Sequence, residues 1–145
     1  MNNSQSIAVG KFRALHESGC FVLPNPWDVG TALFLQHLGF RALATTSSGF
    51  AFTRGLPDSV LVITRELMLA HLSDLAAATP LPVNADFQNG YADSPEEVAE
   101  SVLLCIKTGV AGLSIEDATG QEASPLYETS LAIERIRAAR RAIDE

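Results

Sequence analysis

Pro82-Val83-Asn84-Ala85-Asp86-Phe87-Gln88-Asn89-Gly90-Tyr91-Ala92-Asp93 is the stretch whose reading decides the fold. Residues Leu81 to Phe87 read as a strand that ends in polar residues, a glycine and an aromatic. A helix signal follows at once. Ser94 takes the N-cap position, Pro95 the first helical position, and Glu97 stands three residues after the serine, which makes a capping box. Asp86 therefore closes a strand just before a loop and a helix. In parallel α/β folds that edge collects ligands and catalytic groups.

The same unit recurs on both sides of this stretch. A helix is expected from about Ser6 to Ser18, and a buried strand from Cys20 to Pro24. Asp28 is placed to cap a helix over Val29 to Leu38, closed by Gly39, and a second strand follows over Arg41 to Thr45. The Ser-Ser-Gly segment after it reads as a turn. Thr64 can cap the next helix, and Pro80 and Pro82 bracket the third strand. After the helix from Pro95 to Thr108, a fourth strand is expected over Val110 to Ile115. A last helix, Leu131 to about Asp144, is expected to bury Ala132, Ile136, Ala139 and Ile143. Four strand–helix units with short connections imply a parallel sheet and right-handed crossovers. No GxGxxG or P-loop pattern follows the first strand, which weakens a nucleotide-binding reading.

Composition narrows the partners. The chain has 145 residues, 47% hydrophobic and 19% charged, as a soluble single domain does. A net charge of −7 argues against nucleic acid or an anionic membrane as a partner. The densest basic cluster, Arg135, Arg137, Arg140 and Arg141, reads as a solvated helix face. Cys20 and Cys105 belong to no metal or redox motif and read as reduced thiols. No apolar run is long enough to span a membrane, and Met1 to Ser6 lacks the pattern of a signal peptide. A cytoplasmic location is the expectation.

Polar residues gather at three strand ends: Thr46, Ser47, Ser48 and Gly49 after the second strand, Asn84 and Asp86 on the third, Glu116 and Asp117 after the fourth. Adjacent strands lie roughly 5 Å apart, so Asp86 and Glu116 can address one ion if the third and fourth strands are neighbours. Oxygen donors without histidine or cysteine suit a hard cation such as Mg²⁺. Such an ion holds a 2-oxo acid and stabilises an enolate, and the Ser47–Gly49 turn offers donors to a substrate carboxylate. Acids at strand ends also cap helices, and the two readings stand side by side at this stage. Trp27 reads as packing beneath the first strand's loop, and His37 and His71 as helix residues rather than ligands.

Five segments together resemble the isocitrate lyase/phosphoenolpyruvate mutase superfamily, in its short-chain, mutase-like branch. They are Leu23-Pro24-Asn25-Pro26-Trp27-Asp28, Thr45-Thr46-Ser47-Ser48-Gly49-Phe50-Ala51, Gly55-Leu56-Pro57-Asp58, Leu81 to Asp86 with Asn89-Gly90-Tyr91, and Ser114-Ile115-Glu116-Asp117-Ala118-Thr119. They cover nearly the whole chain, in order. The resemblance implies a TIM-type α/β barrel that binds Mg²⁺ and acts on 2-oxo acids or phosphonates at C–C or P–C bonds. It implies Asp86 and Glu116 as metal-site acids, Asp58 as an acid at the site edge, and Ser47, Ser48 and Gly49 as the holder of the substrate carboxylate.

Three departures accompany it. Asn84 stands where many relatives carry a second aspartate. The segment Gly120 to Tyr127 lacks the lysine, cysteine and histidine of the lyases' mobile loop, which leaves Tyr91 and Tyr127 as conjectural substitutes. A full barrel takes about 250 residues, so residues 1–145 are expected to form one partial-barrel domain, the N-terminal half, with residues 1–18 as its leading helix. Its open edges make a homo-oligomer one outcome. The expected function is a Mg²⁺-dependent 2-oxo acid lyase or phosphonomutase-like enzyme, acting on a small-molecule 2-oxo acid or phosphonate through an enolate. The alternative is a non-catalytic, truncated homologue or assembly partner. An open doubly wound domain is a third reading, and it requires a reversal of strand order.

Overall fold

The computed structural model describes residues 3–144. The elements run α1 (Asn3–Leu15), α2 (Val29–His37), β1 (Leu43–Ala44), α3 (Ser47–Thr53), α4 (Arg65–Ala78), β2 (Val83–Asp86), α5 (Pro95–Lys107), β3 (Gly112–Ser114) and α6 (Thr129–Asp144). The three strands are parallel and stand in sequence order, β1-β2-β3. No reversal of strand order occurs among them, so the doubly wound reading falls. The register sets Ala44 beside Asn84, Asn84 beside Gly112, and Asp86 beside Ser114.

The helix starts follow from their caps. Asp28 accepts from Thr31 N at 2.7 Å, Thr64 from Leu67 N at 3.3 Å, and Ser94 from Glu97 N at 3.3 Å. Each satisfies a donor that the first turn of a helix leaves open, worth about 1 kcal/mol. Gly39 and Gly109 end α2 and α5 at φ +88° and +96°, the left-handed conformation that a glycine enters without penalty.

The expected strand from Cys20 to Pro24 is not part of the sheet. The segment is extended and gives β1 one backbone bond, Ala44 N to Pro24 O at 3.0 Å. Pro24 and Pro26 have no N–H to offer a ladder. Asn25 stands in for it, donating its amide to the carbonyls of Ala44 and Thr45 at 3.0 and 3.2 Å. The Ser-Ser-Gly segment is also not a free turn. It is the first turn of α3, capped by Thr46, whose Oγ1 accepts from Gly49 N at 3.1 Å. The leading helix ends at Leu15 rather than Ser18.

Two apolar clusters hold the layers together. Leu43, Phe50, Ile63, Met68, Leu72, Leu75, Val83, Ala85 and Phe87 pack β1 and β2 against α3 and α4. Val98 and Val102 of α5 meet Ala139 and Ala142 of α6. The buried side of α6 agrees with expectation at Ala139 but otherwise differs: Arg135, Ala138 and Ala142 turn inward with it, while Ile136 is half exposed. Trp27 is likewise 47% exposed, not buried beneath the loop. Among the described residues no helix is long and apolar enough to cross a membrane.

Candidate active site

Asp86 is held at the carboxyl end of β2 by the strand on its left and the loop on its right. Its N–H donates to Thr45 Oγ1 at 2.8 Å, and its Oδ2 accepts from Ser47 N, the first residue of α3, at 2.7 Å. A carboxylate at a helix start is stabilised by the aligned peptide dipoles. The capping role weighed from sequence is thus real, and it uses one oxygen. Oδ1 has only a long 3.4 Å contact from Gln88 N and remains available.

Beyond Asp86 the chain enters a tight loop, with Gln88 at φ +45°, Gly90 at +79° and Tyr91 at +58°. Left-handed backbone at two non-glycine residues costs energy, of order 1 kcal/mol or more each. The loop places Gln88 among all three acids of interest. Its side-chain amide donates to Asp58 Oδ1 at 3.2 Å, its carbonyl accepts from Glu116 N at 2.8 Å, and its N–H faces Asp86. Gln88 is 5% exposed, and its Oε1 is buried with no hydrogen-bond partner.

Glu116 follows β3, which pairs with β2, so the adjacency that the metal reading required is present. Burial pushes its carboxyl pKa up, and the negative charges of Asp86, Asp58 and Asp117 push it further. Tyr91 packs edge-on to Phe87 at 5.1 Å, and its hydroxyl is buried without a partner. Burial, then Asp86 and Asp58, raise its pKa and keep it protonated.

Ser47, Asp58, Gln88, Asn89, Glu116 and Gly120 line a cleft of about 160 Å³ at this edge. A larger cavity, about 620 Å³, lies between α1 and the start of β2, but Lys11 is its single charged lining residue among the described residues. The acids therefore gather at the smaller cleft. Ser48 stands at 3.1 Å from the Thr46 hydroxyl, and Gly49 N–H is already used by the α3 cap. A Cβ on Gly49 would come within 2.6 Å of Thr46 Cγ2, so that position needs a glycine for packing. Asn84 does not join the cleft; with Phe12, Gly112 and Arg140 it lines a different groove.

Among the described residues, no three His, Cys, Asp or Glu side chains form a ready-made ion cage. The donor set nevertheless fits a hard, hydrated cation. It is all oxygen: Asp58 and Glu116 line the cleft, Asp86 stands beside it with one lightly used oxygen, and Gln88 has an orphaned one. Mg²⁺ keeps several waters and takes only one or two carboxylates from the protein.

Sequence reading missed two residues of this region, Gln88 and Arg135. Arg135 of α6 is 1% exposed and reaches under the loops. It donates to the carbonyls of Asn89, Ala92 (2.7 Å), Asp93 (3.1 Å) and Glu116 (3.5 Å), and lies 3.8 Å above the Tyr127 ring. The Tyr127 hydroxyl donates to Asp93 and accepts from Asn89 at 3.3 Å. The available signal for Gln88 was its place, two residues past a strand-end acid. None existed for Arg135.

Comparison with known proteins agrees with this architecture. The family model of phosphoenolpyruvate phosphomutase matches residues 12–145. A solved structure of a candidate lyase/mutase from Burkholderia cenocepacia J2315 is 49% identical, with a TM-score of 0.93 over 97% of this chain and 50% of that one. Oxaloacetate acetylhydrolase, solved with its product oxalate, is 29% identical, with a TM-score of 0.85 over 94% of this chain and 49% of the other. The 2-methylisocitrate lyase of Halalkalibacterium halodurans is 32% identical over 115 residues, 79% of this chain and 38% of the lyase. The chain thus spans half or less of each relative's length. A parallel sheet in sequence order, acids at its carboxyl edge and the match over residues 12–145 lead to one assignment: the chain belongs to the phosphoenolpyruvate phosphomutase family, in the isocitrate lyase/phosphoenolpyruvate mutase superfamily.

Proposed function

We propose that this chain carries the Mg²⁺ and carboxylate-binding part of an enzyme acting on small 2-oxo acids or phosphonates, as a lyase or phosphonomutase. Residues 1–145 are read as one partial-barrel domain led by the helix within residues 1–18. The observation that supports the reading best is the group of three acids, Asp58, Asp86 and Glu116, gathered around Gln88 at the carboxyl edge of a parallel sheet. Relatives that act on methylisocitrate and oxaloacetate point to the same substrate class.

Asp86 and Glu116 would hold the ion, with Asp86 Oδ1, which takes one long contact from Gln88 N, as the more open oxygen. When bound, the ion supplies charge stabilisation at the oxygen of a 2-oxo acid as it enolises. Asp58 is fixed by Gln88 at the site edge, where it can hold or accept a proton. Ser47 and Ser48 would offer donors to the substrate carboxylate, with Gly49 permitting the close turn. Tyr91 keeps its proton and bounds the site on the Phe87 side.

Calorimetric titration with Mg²⁺, then with oxalate or oxaloacetate, tests this. Saturable Mg²⁺ binding is expected, weakened at least tenfold in Asp86→Asn and in Glu116→Gln, with oxalate heat appearing only when Mg²⁺ is present. Absence of Mg²⁺ binding by the unaltered chain would sink the reading. A second reading, a non-catalytic assembly partner, draws on the exposed apolar side chains of Val22, Phe52 and Leu61, 67%, 66% and 85% exposed. Turnover by the chain on its own excludes it.

A further inference from the structure

We propose that Gln88 is the neutral member of the cation site: its amide N–H₂ locks Asp58 while its Oε1 serves as an oxygen ligand to the divalent ion. The inference rests on the cation reading above and adds a residue to it.

The orientation of the amide follows from its neighbour. An ionised carboxylate only accepts, so Asp58 Oδ1 must face Nε2, as the 3.2 Å contact has it. That leaves Oε1 on the other side of the amide, buried, in a residue 5% exposed that lines the acid-lined cleft. A buried carbonyl-type oxygen without a partner costs on the order of 1–3 kcal/mol. Nothing in the fold offsets that cost, because Oε1 contacts no donor. A cation or one of its waters in the cleft would.

Backbone strain points the same way. Gln88 sits at φ +45°, where glycine would rest without penalty, yet a long amide side chain is held there. Its main chain ties Glu116 N and faces Asp86, so the backbone of Gln88 is fixed relative to both acids, and Nε2 ties its side chain to Asp58. Strain of this kind persists where the surrounding structure over-determines a functional geometry. A neutral ligand is also the electrostatically suitable fourth group. Three acids already stand around this one loop residue. An amide oxygen adds a donor without adding charge.

The test measures Mn²⁺ binding by the free-ion paramagnetic resonance signal, with calorimetry of Mg²⁺ as a second readout, on the full chain. Gln88→Met keeps the length and removes both amide functions; it should weaken Mn²⁺ binding about tenfold. Gln88→Glu keeps an oxygen in place and adds charge. It should bind Mn²⁺ more tightly than the unaltered chain and show a larger rise in melting temperature on adding the ion. Asp58→Asn with and without Gln88→Met separates ligation from mere positioning of Asp58. The same tenfold loss in the Asp58→Asn background assigns the effect to Oε1. No further loss there, or unaltered affinity in Gln88→Met, overturns the inference while Asp86→Asn still reports on the cation site itself. If Gln88→Met fails to fold, Gln88→Glu decides, and affinity no better than that of the unaltered chain counts against Gln88. Failure of the unaltered chain to bind Mn²⁺ overturns both readings together.

Discussion

Arg135 shows how far one side chain can determine a site it does not enter. Its guanidinium is buried and spans four backbone carbonyls, at Asn89, Ala92, Asp93 and Glu116, so a helix on the outer layer fixes both loops that carry the cleft. Arg135→Met should lower stability by about 3 kcal/mol or more, since several buried acceptors lose their donor at once. Arg135→Lys should recover little, because a point charge cannot reproduce the planar fork. Urea unfolding of both variants checks this, and a loss under 1 kcal/mol in Arg135→Met would contradict it. The residue was illegible in sequence for a physical reason. Arginine is rarely buried without a paired acid, and its neighbours Arg137 and Arg140 do behave as a solvated face, paired with Glu134 and Asp144. The other buried residues of α6, Ala138, Ala139 and Ala142, are small, and small residues carry a weak periodic signal. Asp86 and Glu116 stood out as acids at strand ends, and Asp58 only through the family resemblance; Gln88 did not, because it is a neutral amide in a loop.

At the scale of elements, the starts of helices were readable wherever the cap is local. Asp28, Thr64 and Ser94 each bond a donor three residues ahead, and three residues of sequence suffice to see it. Elements with distant partners were not readable. Helix α3 has seven residues and takes part of its N-terminal support from Asp86, 39 residues away. The segment before α2 looked like a strand by hydrophobicity, yet its prolines deny it a ladder. Helix α1 is the clearest case of an element docked by single contacts. Gln5 donates to the carbonyls of Ile106 and Val110 at 2.7 and 3.1 Å, and the Phe12 ring covers Gly112 of β3. A Cβ at residue 112 would lie 2.7 Å from Phe12 Cε1 and 2.9 Å from Asn84 Oδ1. Gly112→Ala should therefore displace α1 and cost about 1–3 kcal/mol. In a Phe12→Leu background the penalty should shrink, since one of the two collisions eases. Denaturant midpoints of the four proteins in this cycle measure it; an additive result would show that α1 does not rest on Gly112.

Across the whole molecule, five short segments in order made the family legible, while the stability of the fold also rests on groups that do not line the cleft. His71 of α4 is one of them. Its ring stacks on Phe50 at 3.8 Å between centroids, and its Nε2 is buried without a partner. Burial lowers its pKa to about 4 from 6.5; Arg54 adds to the shift, whereas Asp74 and Asp28 oppose it. The unfolded chain thus binds a proton here more readily than the folded one, and stability rises with pH wherever that difference holds. The His71 contribution is complete above pH 6.5 and is lost as the pH falls toward 4. Glu116 has the opposite sign, because its raised pKa makes the folded state hold its proton, and that contribution is lost as the pH rises. Subtracting a variant separates the two. His71→Phe keeps an aromatic ring against Phe50, removes the orphaned nitrogen and leaves Glu116 as it is. Unfolding free energies measured from pH 4 to 7.5 should show the unaltered chain losing ground to His71→Phe as the pH falls below 6.5. Above 6.5 the difference should be flat. Parallel curves throughout would mean that His71 is as readily protonated in the fold as out of it, and that its place under α3 is wetter than the packing of Phe50, Arg54 and α4 implies.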